Sequence, residues 1–131
     1  MLPDLTTNQK GAIAETKIAA AATELGVEVY RPVAEGGRFD LIFLVGNRLL
    51  RAQCKWARRY GDVVVVRCYS CRRACEGMRV RTYTPAEIDA FAAYCPELDR
   101  CYFLPIVRFS HQRNIQLRLT PPRNNQLARI N

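Results

Sequence analysis

Histidine and tryptophan each occur once in the 131 residues and lysine three times, and no apolar run approaches the roughly 18 residues of a membrane span. A lone His111 with no partner nearby in sequence reads as an exposed loop residue and is given no catalytic role. The start, Met1-Leu2-Pro3-Asp4, lacks a basic segment followed by an apolar one, so the expectation is a protein that stays in the cytosol or its equivalent. The six cysteines, with no secretion signal, then read as reduced thiols rather than a disulfide framework. Only Cys68-x-x-Cys71-x-x-x-Cys75 has a metal-like spacing, and zinc there would need Cys54, Cys95 or Cys101 as a fourth ligand. The companion CxxC or HxxxH pair is missing, which favours free thiols on a basic loop.

What is present is an ordinary globular balance, 49% hydrophobic and 24% charged, in a length that fits a single domain over residues 1–131. The net charge of +8 is concentrated. Between Arg48 and Arg81 nine arginines and Lys55 face only Asp62 and Glu76, so ten cations against two anions hold the whole excess. Elsewhere ten basic residues cancel ten acidic ones, which implies a polyanion meeting one face of the molecule. A membrane partner would want a basic amphipathic helix, whereas this stretch reads as strands and loops interleaved with Tyr60, Tyr69 and Tyr83. Nucleic acid fits better, and a cytoplasmic or nucleoid-associated location, or its organellar equivalent, follows.

Residues 7 to 25 read as a helix, capped by Thr7 or Asn8, alanine-rich in the middle and ended by Gly26. Residues 27–32 alternate like a strand. Arg38 to Val45 and Arg48 to Trp56 are β-rich runs joined by Gly46-Asn47, the signature of a two-residue hairpin turn. If Val45 pairs with Arg48, Asp40 lies opposite Gln53 and Arg38 opposite Lys55. Asp40, Gln53 and Lys55 then share one face, while Phe39, Leu41, Phe43, Val45, Leu50, Ala52, Cys54 and Trp56 form the core face. Val63 to Val66 suits a third buried strand, and residues 68–83 read as a loop or edge structure. Thr84-Pro85-Ala86-Glu87 predicts a helix start running to about Tyr94, with final strands over 101–107 and 114–119. The order is α-β-β-β-α-β with an extra strand.

Glu15 in Gly-Ala-Ile-Ala-Glu, then Asp40, then Gln53-Cys54-Lys55 on the next strand, resembles the catalytic pattern of the PD-(D/E)XK nuclease superfamily. Two positions depart from it: Gln53 stands where most members carry Asp or Glu, and Phe39 where they carry proline. Glutamine at that position, and the stretch from Glu87 to Ile106, resemble the subgroup of group I intron-associated homing endonucleases. The similarity covers most of residues 8 to 119. It implies an α/β, restriction-endonuclease-like core with a central mixed sheet flanked by helices, and a metal-dependent, site-specific endonuclease acting on double-stranded DNA.

The resemblance gives Glu15, Asp40, Gln53 and Lys55 catalytic roles. Phosphodiester hydrolysis brings water against a charged phosphate, which a hard cation such as Mg2+ or Mn2+ assists. The oxygen ligands would be Glu15, Asp40, the Gln53 side chain and the Cys54 backbone carbonyl, with Lys55 orienting water or offsetting developing charge. Lysine is rare against seventeen arginines, and a compact ammonium beside bound water is a role that arginine's wide fork fills poorly. Arg58, Arg59, Arg67, Tyr69, Arg72, Arg73, Arg79 and Arg81 would contact DNA, mostly at phosphates. A structure-selective nuclease such as a Holliday junction resolvase, or a DNA-binding module without cleavage, stands as the alternative. A small enzyme that cuts both strands implies a homodimer or homotetramer.

Overall fold

Thr6 starts the first helix, α1 (Thr7–Glu24), by a reciprocal cap. Its hydroxyl accepts the Gln9 N–H at 3.1 Å while the Gln9 side chain accepts the Thr6 N–H at 2.9 Å. The cap is therefore one or two residues earlier than expected, because only Thr6 has a glutamine three residues on to complete the box. At the other end the Val27 N–H reaches the Ala22 carbonyl and the Gly26 N–H that of Thr23, a Schellman closure that needs the positive φ of Gly26, +82°. The computed structural model describes residues 4–74, 77–109 and 112–120, so His111 and Cys75 lie outside the described residues.

After α1 come β1 (Glu28–Tyr30), β2 (Leu41–Val45) and β3 (Arg48–Trp56). Val45 pairs with Arg48 and Leu41 with Ala52, the register that the Gly46-Asn47 turn predicts. Residues 38–40 precede β2 rather than extending it, so neither the expected Arg38–Lys55 pair nor the Asp40–Gln53 pair forms, although the Asp40 N–H still donates to the Ala52 carbonyl at 2.9 Å. A bend at Ala57 sends the chain into a second sheet through β4 (Arg58–Tyr60) and β5 (Val63–Arg67), followed by the ribbon β6 (Tyr69–Ala74) and β7 (Gly77–Thr82). Thus β5 is not a third strand of the first sheet, and it alternates between buried and part-buried residues instead of being covered on both faces. The segment expected as loop or edge is mostly an antiparallel ribbon.

The helix expected over residues 84–94 is absent. Thr84 and Glu87 do make their capping contacts, the Glu87 carboxylate accepting the Thr84 N–H at 3.2 Å, but they close one turn only. The Asp89 N–H then goes to the Arg51 carbonyl at 2.8 Å, and the chain enters β8 (Ala90–Cys95), parallel to β3. All six residues of β8 are buried. A short apolar run carries no period that separates a buried helix from a strand covered on both faces, and Ala-Phe-Ala-Ala-Tyr-Cys is such a run. Asp89 fixes the junction by accepting the Arg51 backbone N–H at 2.7 Å and its guanidinium at 3.0 Å.

Next follow β9 (Arg100–Pro105), a short helix α2 (Ile106–Phe109) and β10 (Asn114–Arg118). The first sheet is mixed, in the order β1-β2-β3-β8-β9, with Pro105 on an edge strand as expected; the second is β10-β5-β4. Two apolar clusters lie against the first sheet. One packs Ala14 and Ile18 of α1 on Leu41, Phe43, Ala52, Ala92 and Tyr94. The other packs Val64, Val66, Ile115 and Leu117 of the second sheet against Phe91, Ala93, Cys95 and Leu104. Phe39 joins this second cluster, not the α1 side where strand alternation put it, because it lies ahead of β2 in irregular chain.

Candidate active site

At the mouth of the β2–β3 hairpin Asp40 interacts with Glu15 of α1 and with Lys55 and takes the backbone N–H of Cys54, the neighbour of Gln53. Side chains at 53 and 55 lie on the face shared with Phe91 and Ala93, since parallel partners share a face and Gln53 pairs with Phe91 and Lys55 with Ala93. Cys54 lies on the α1 side with Ala52 and Trp56. Odd residues of β3 turn their backbone groups toward β8, as the bonds of the Arg51 carbonyl and the Ala57 N–H show; the Ala52 carbonyl turns the other way, to the Asp40 N–H. Cys54 follows Ala52 in this alternation. Its N–H donates to Asp40 Oδ2 at 2.9 Å, and its carbonyl is directed to the same side, past the end of β2.

Asp40 is thus held by backbone at the end of an edge-ward strand. Burial pushes its carboxyl above the usual range, against the Cys54 N–H and the Lys55 ammonium, which favour the charged form. Glu15, on α1 and 28% exposed, is also raised, first by burial and then by the negative charge of Asp40, with Arg31 acting in the opposite sense from 3.5 Å. A buried carboxylate beside a second one whose proton affinity it raises is a donor pair suited to a divalent cation. They open on a pocket of about 380 Å³ lined by Glu15, Arg31, Glu35, Gly36, Phe39 and Asp40. Arg31 and Glu35 carried no motif, so nothing in the sequence pointed to them.

Lys55 Nζ donates to the Tyr69 carbonyl at 3.1 Å and stands 5.2 Å from the centre of the Tyr83 ring. Gln53 Oε1 is buried and has no hydrogen-bond partner among the described residues. A buried amide oxygen left unpaired costs about 1–3 kcal/mol, and it is a hard donor of the kind Mg2+ takes. Among the described residues no three His, Cys, Asp or Glu side chains converge on a metal position. The Cys54 thiol itself is kept neutral, its pKa raised by burial and then by Asp40 and Glu15, which leaves the carbonyl as its available donor.

Of the three thiols with metal-like spacing, Cys75 and the Cys71 side chain lie outside the described residues. Cys68 is buried in the core, donates to the Val66 carbonyl and has its pKa pushed up to about 12 by burial, far from the thiolate that zinc requires.

The basic residues divide between two places. Arg58, Arg59 and Tyr60 are exposed on edge strand β4, beside a pocket of about 590 Å³ that also meets Trp56 and Lys10. Arg67 is exposed at the end of β5, Tyr69 is half-buried at the root of the ribbon, and Arg81 is exposed but ion-paired with Glu87 at 2.7 Å. Arg72, Arg73 and Arg79 are placed by strand register alone, Arg72 directly opposite Arg79.

Residues 5–131 match the sequence profile of the PD-(D/E)XK endonucleases. The chain belongs to that family. Among solved structures, the PD-(D/E)XK chain is similar to a bacterial homing endonuclease, I-Ssp6803I, with 28% identity and a TM-score of 0.77 over 91% of this chain and 82% of the other. No curated protein matches it. PD-(D/E)XK nucleases generally use divalent metals such as Mg2+, and the oxygen donors around Asp40 fit such an ion.

Proposed function

We propose that this PD-(D/E)XK nuclease hydrolyses phosphodiester bonds of double-stranded DNA at a specific site, with Mg2+ or Mn2+, in the manner of a homing endonuclease. The observation that carries the reading is the setting of Asp40: one carboxylate that takes the Cys54 N–H, is acted on by the Lys55 charge and raises the proton affinity of Glu15. Glu15, Asp40, Gln53 Oε1 and the Cys54 carbonyl would hold the ion. When bound, it supplies a Lewis acid for the phosphate and acidifies a water molecule. Lys55, oriented by the Tyr69 carbonyl, sets a positive charge where negative charge grows on the phosphoryl oxygens. Asp40 and Glu15 must be deprotonated to hold the ion, and without it nothing polarises the phosphate or acidifies water, so the metal-free protein would bind DNA through its basic residues without cutting it.

Arg58, Arg59 and Arg67, with Tyr69 and the ribbon residues Arg72, Arg73, Arg79 and Arg81, fit the role of phosphate contacts, a minority of them reading guanines. A homodimer or homotetramer on a roughly palindromic target completes the proposal. An apolar groove of about 280 Å³ between α1 and edge strand β9 supports self-association, and Leu25 and Phe103 on its rim are 82% and 48% exposed.

The test exposes a supercoiled plasmid, a four-way junction and a randomised duplex library to the protein with Mg2+ or with EDTA. A discrete double-strand cut that needs the metal supports the proposal. Cutting of the junction alone makes the protein a structure-selective nuclease, and salt-sensitive binding without cutting makes it a DNA-binding module.

A further inference from the structure

Arg38 lies two residues before Asp40, outside the sequence pattern and outside any strand, yet all three of its guanidinium nitrogens are engaged. Its Nε donates to Glu87 Oε2 at 2.8 Å, Nη1 to the Ser70 hydroxyl at 2.9 Å and Nη2 to the Thr82 carbonyl at 2.8 Å. Its guanidinium carbon stands 3.7 Å from the centre of the Tyr83 ring. Ser70 and Thr82 are neighbours of the cross-strand pair at the root of the β6–β7 ribbon, Tyr69 with Thr82 and Ser70 with Arg81. Tyr69 and Tyr83 also engage Lys55, one through its carbonyl and the other through its ring. Tyr83 is itself buried edge-on against Phe91, 5.4 Å between centroids, so its ring is not free to follow a moving lysine.

We propose that Arg38 is a positioning residue: it locks the ribbon root to the turn at Thr84–Glu87 and thereby sets where the Tyr69 carbonyl and the Tyr83 ring hold Lys55. The inference rests on the nuclease reading and adds a coupling to it. The arginines that the ribbon carries beyond its root engage the DNA phosphates, and the ribbon can move only by dragging the Tyr69 carbonyl with it. Engagement of the duplex and alignment of the catalytic ammonium are then one event. A planar fork with donors on three sides and a flat face is what this position uses, and lysine cannot supply it.

The test compares Arg38→Gln, Arg38→Lys and Ser70→Ala in the full chain. Single-turnover cleavage is expected to fall about 100-fold in R38Q, the scale of a small misplacement at a reacting group, with DNA binding in EDTA changed by no more than roughly threefold. R38K restores the charge but not the three-way fork, and recovers only part of the loss. The independent readout uses 13C-lysine protein, in which only Lys10, Lys17 and Lys55 give ε-methylene signals. The Lys55 signal, assigned with K55M, should move in R38Q while the other two stay. Should R38Q fail to fold, S70A removes a single acceptor and should displace the same signal to a smaller extent. An unmoved Lys55 signal, or cleavage and binding lost in equal proportion, overturns the proposal. Wild-type protein that cuts no DNA sinks the nuclease reading alone, and the Lys55 signal then still decides the role of Arg38.

Discussion

Replacing Gln53 by methionine should stabilise the metal-free protein while weakening its hold on metal. The side chain keeps its length and loses the buried oxygen that has no partner among the described residues. Relief of an unpaired buried acceptor amounts to about 1–3 kcal/mol, and each kcal/mol raises Tm by roughly 3–5 °C for a chain of this size. In EDTA, Q53M should therefore melt above the wild type. Saturating Mg2+ should reverse the order, because binding adds about 1.4 kcal/mol for every tenfold excess over Kd and the variant has lost a donor. Gln53→Glu should do the opposite, lowering metal-free stability by placing a third carboxylate beside two whose pKa values are already raised, and tightening metal binding. Thermal melts of the three proteins across a Mg2+ titration give both quantities. A Q53M protein that melts below wild type in EDTA, or one that gains as much from Mg2+ as wild type does, would refute the reasoning.

Other outcomes follow from the same geometry. Asp40→Asn should abolish plasmid cutting and leave salt-sensitive DNA binding intact; since burial raises the Asp40 pKa in the folded state, the charged form costs stability at pH 7, and D40N should melt higher than wild type. Metal binding should weaken as pH falls through the raised values of Glu15 and Asp40 and should release protons, which calorimetry in buffers of different ionisation enthalpy would measure. Phe91→Ala removes a 1% exposed ring that lies under Gln53 and against Tyr83, and should cost about 3–5 kcal/mol in urea unfolding.

How far these features were legible depends on the range of the interactions behind them. The hairpin register was readable because a two-residue turn dictates it locally, and it carries Asp40 to the Cys54 N–H and within reach of the Lys55 charge, although Asp40 sits ahead of β2 and not opposite Gln53. Glu15 needed the family pattern, since one of two glutamates on a helix has no periodic mark. Strand β8 was misread because Thr84 and Glu87 form a sound local cap that long-range pairing with β3 overrides after one turn. The second sheet was missed because β5 and β10 are brought together only across the whole chain, Val63 meeting Arg118. Arg38 escaped notice because its partners, Ser70, Thr82 and Glu87, are 32, 44 and 49 residues away.

The pairing of β3 with β8 joins Gln53 to Phe91 and Lys55 to Ala93, and all the intervening chain must be threaded through other structure first. Ladders closed over such long separations form slowly, because loop entropy is spent before any contact rewards it. The local hairpin can assemble early and bring Asp40 to its place, but Lys55 meets Tyr69 and Tyr83 only once the later chain has folded against β3. A nascent or partly refolded chain would thus hold its acidic residues in position before its ammonium, and would remain harmless to the nucleic acid around it until the last strand pair zips shut.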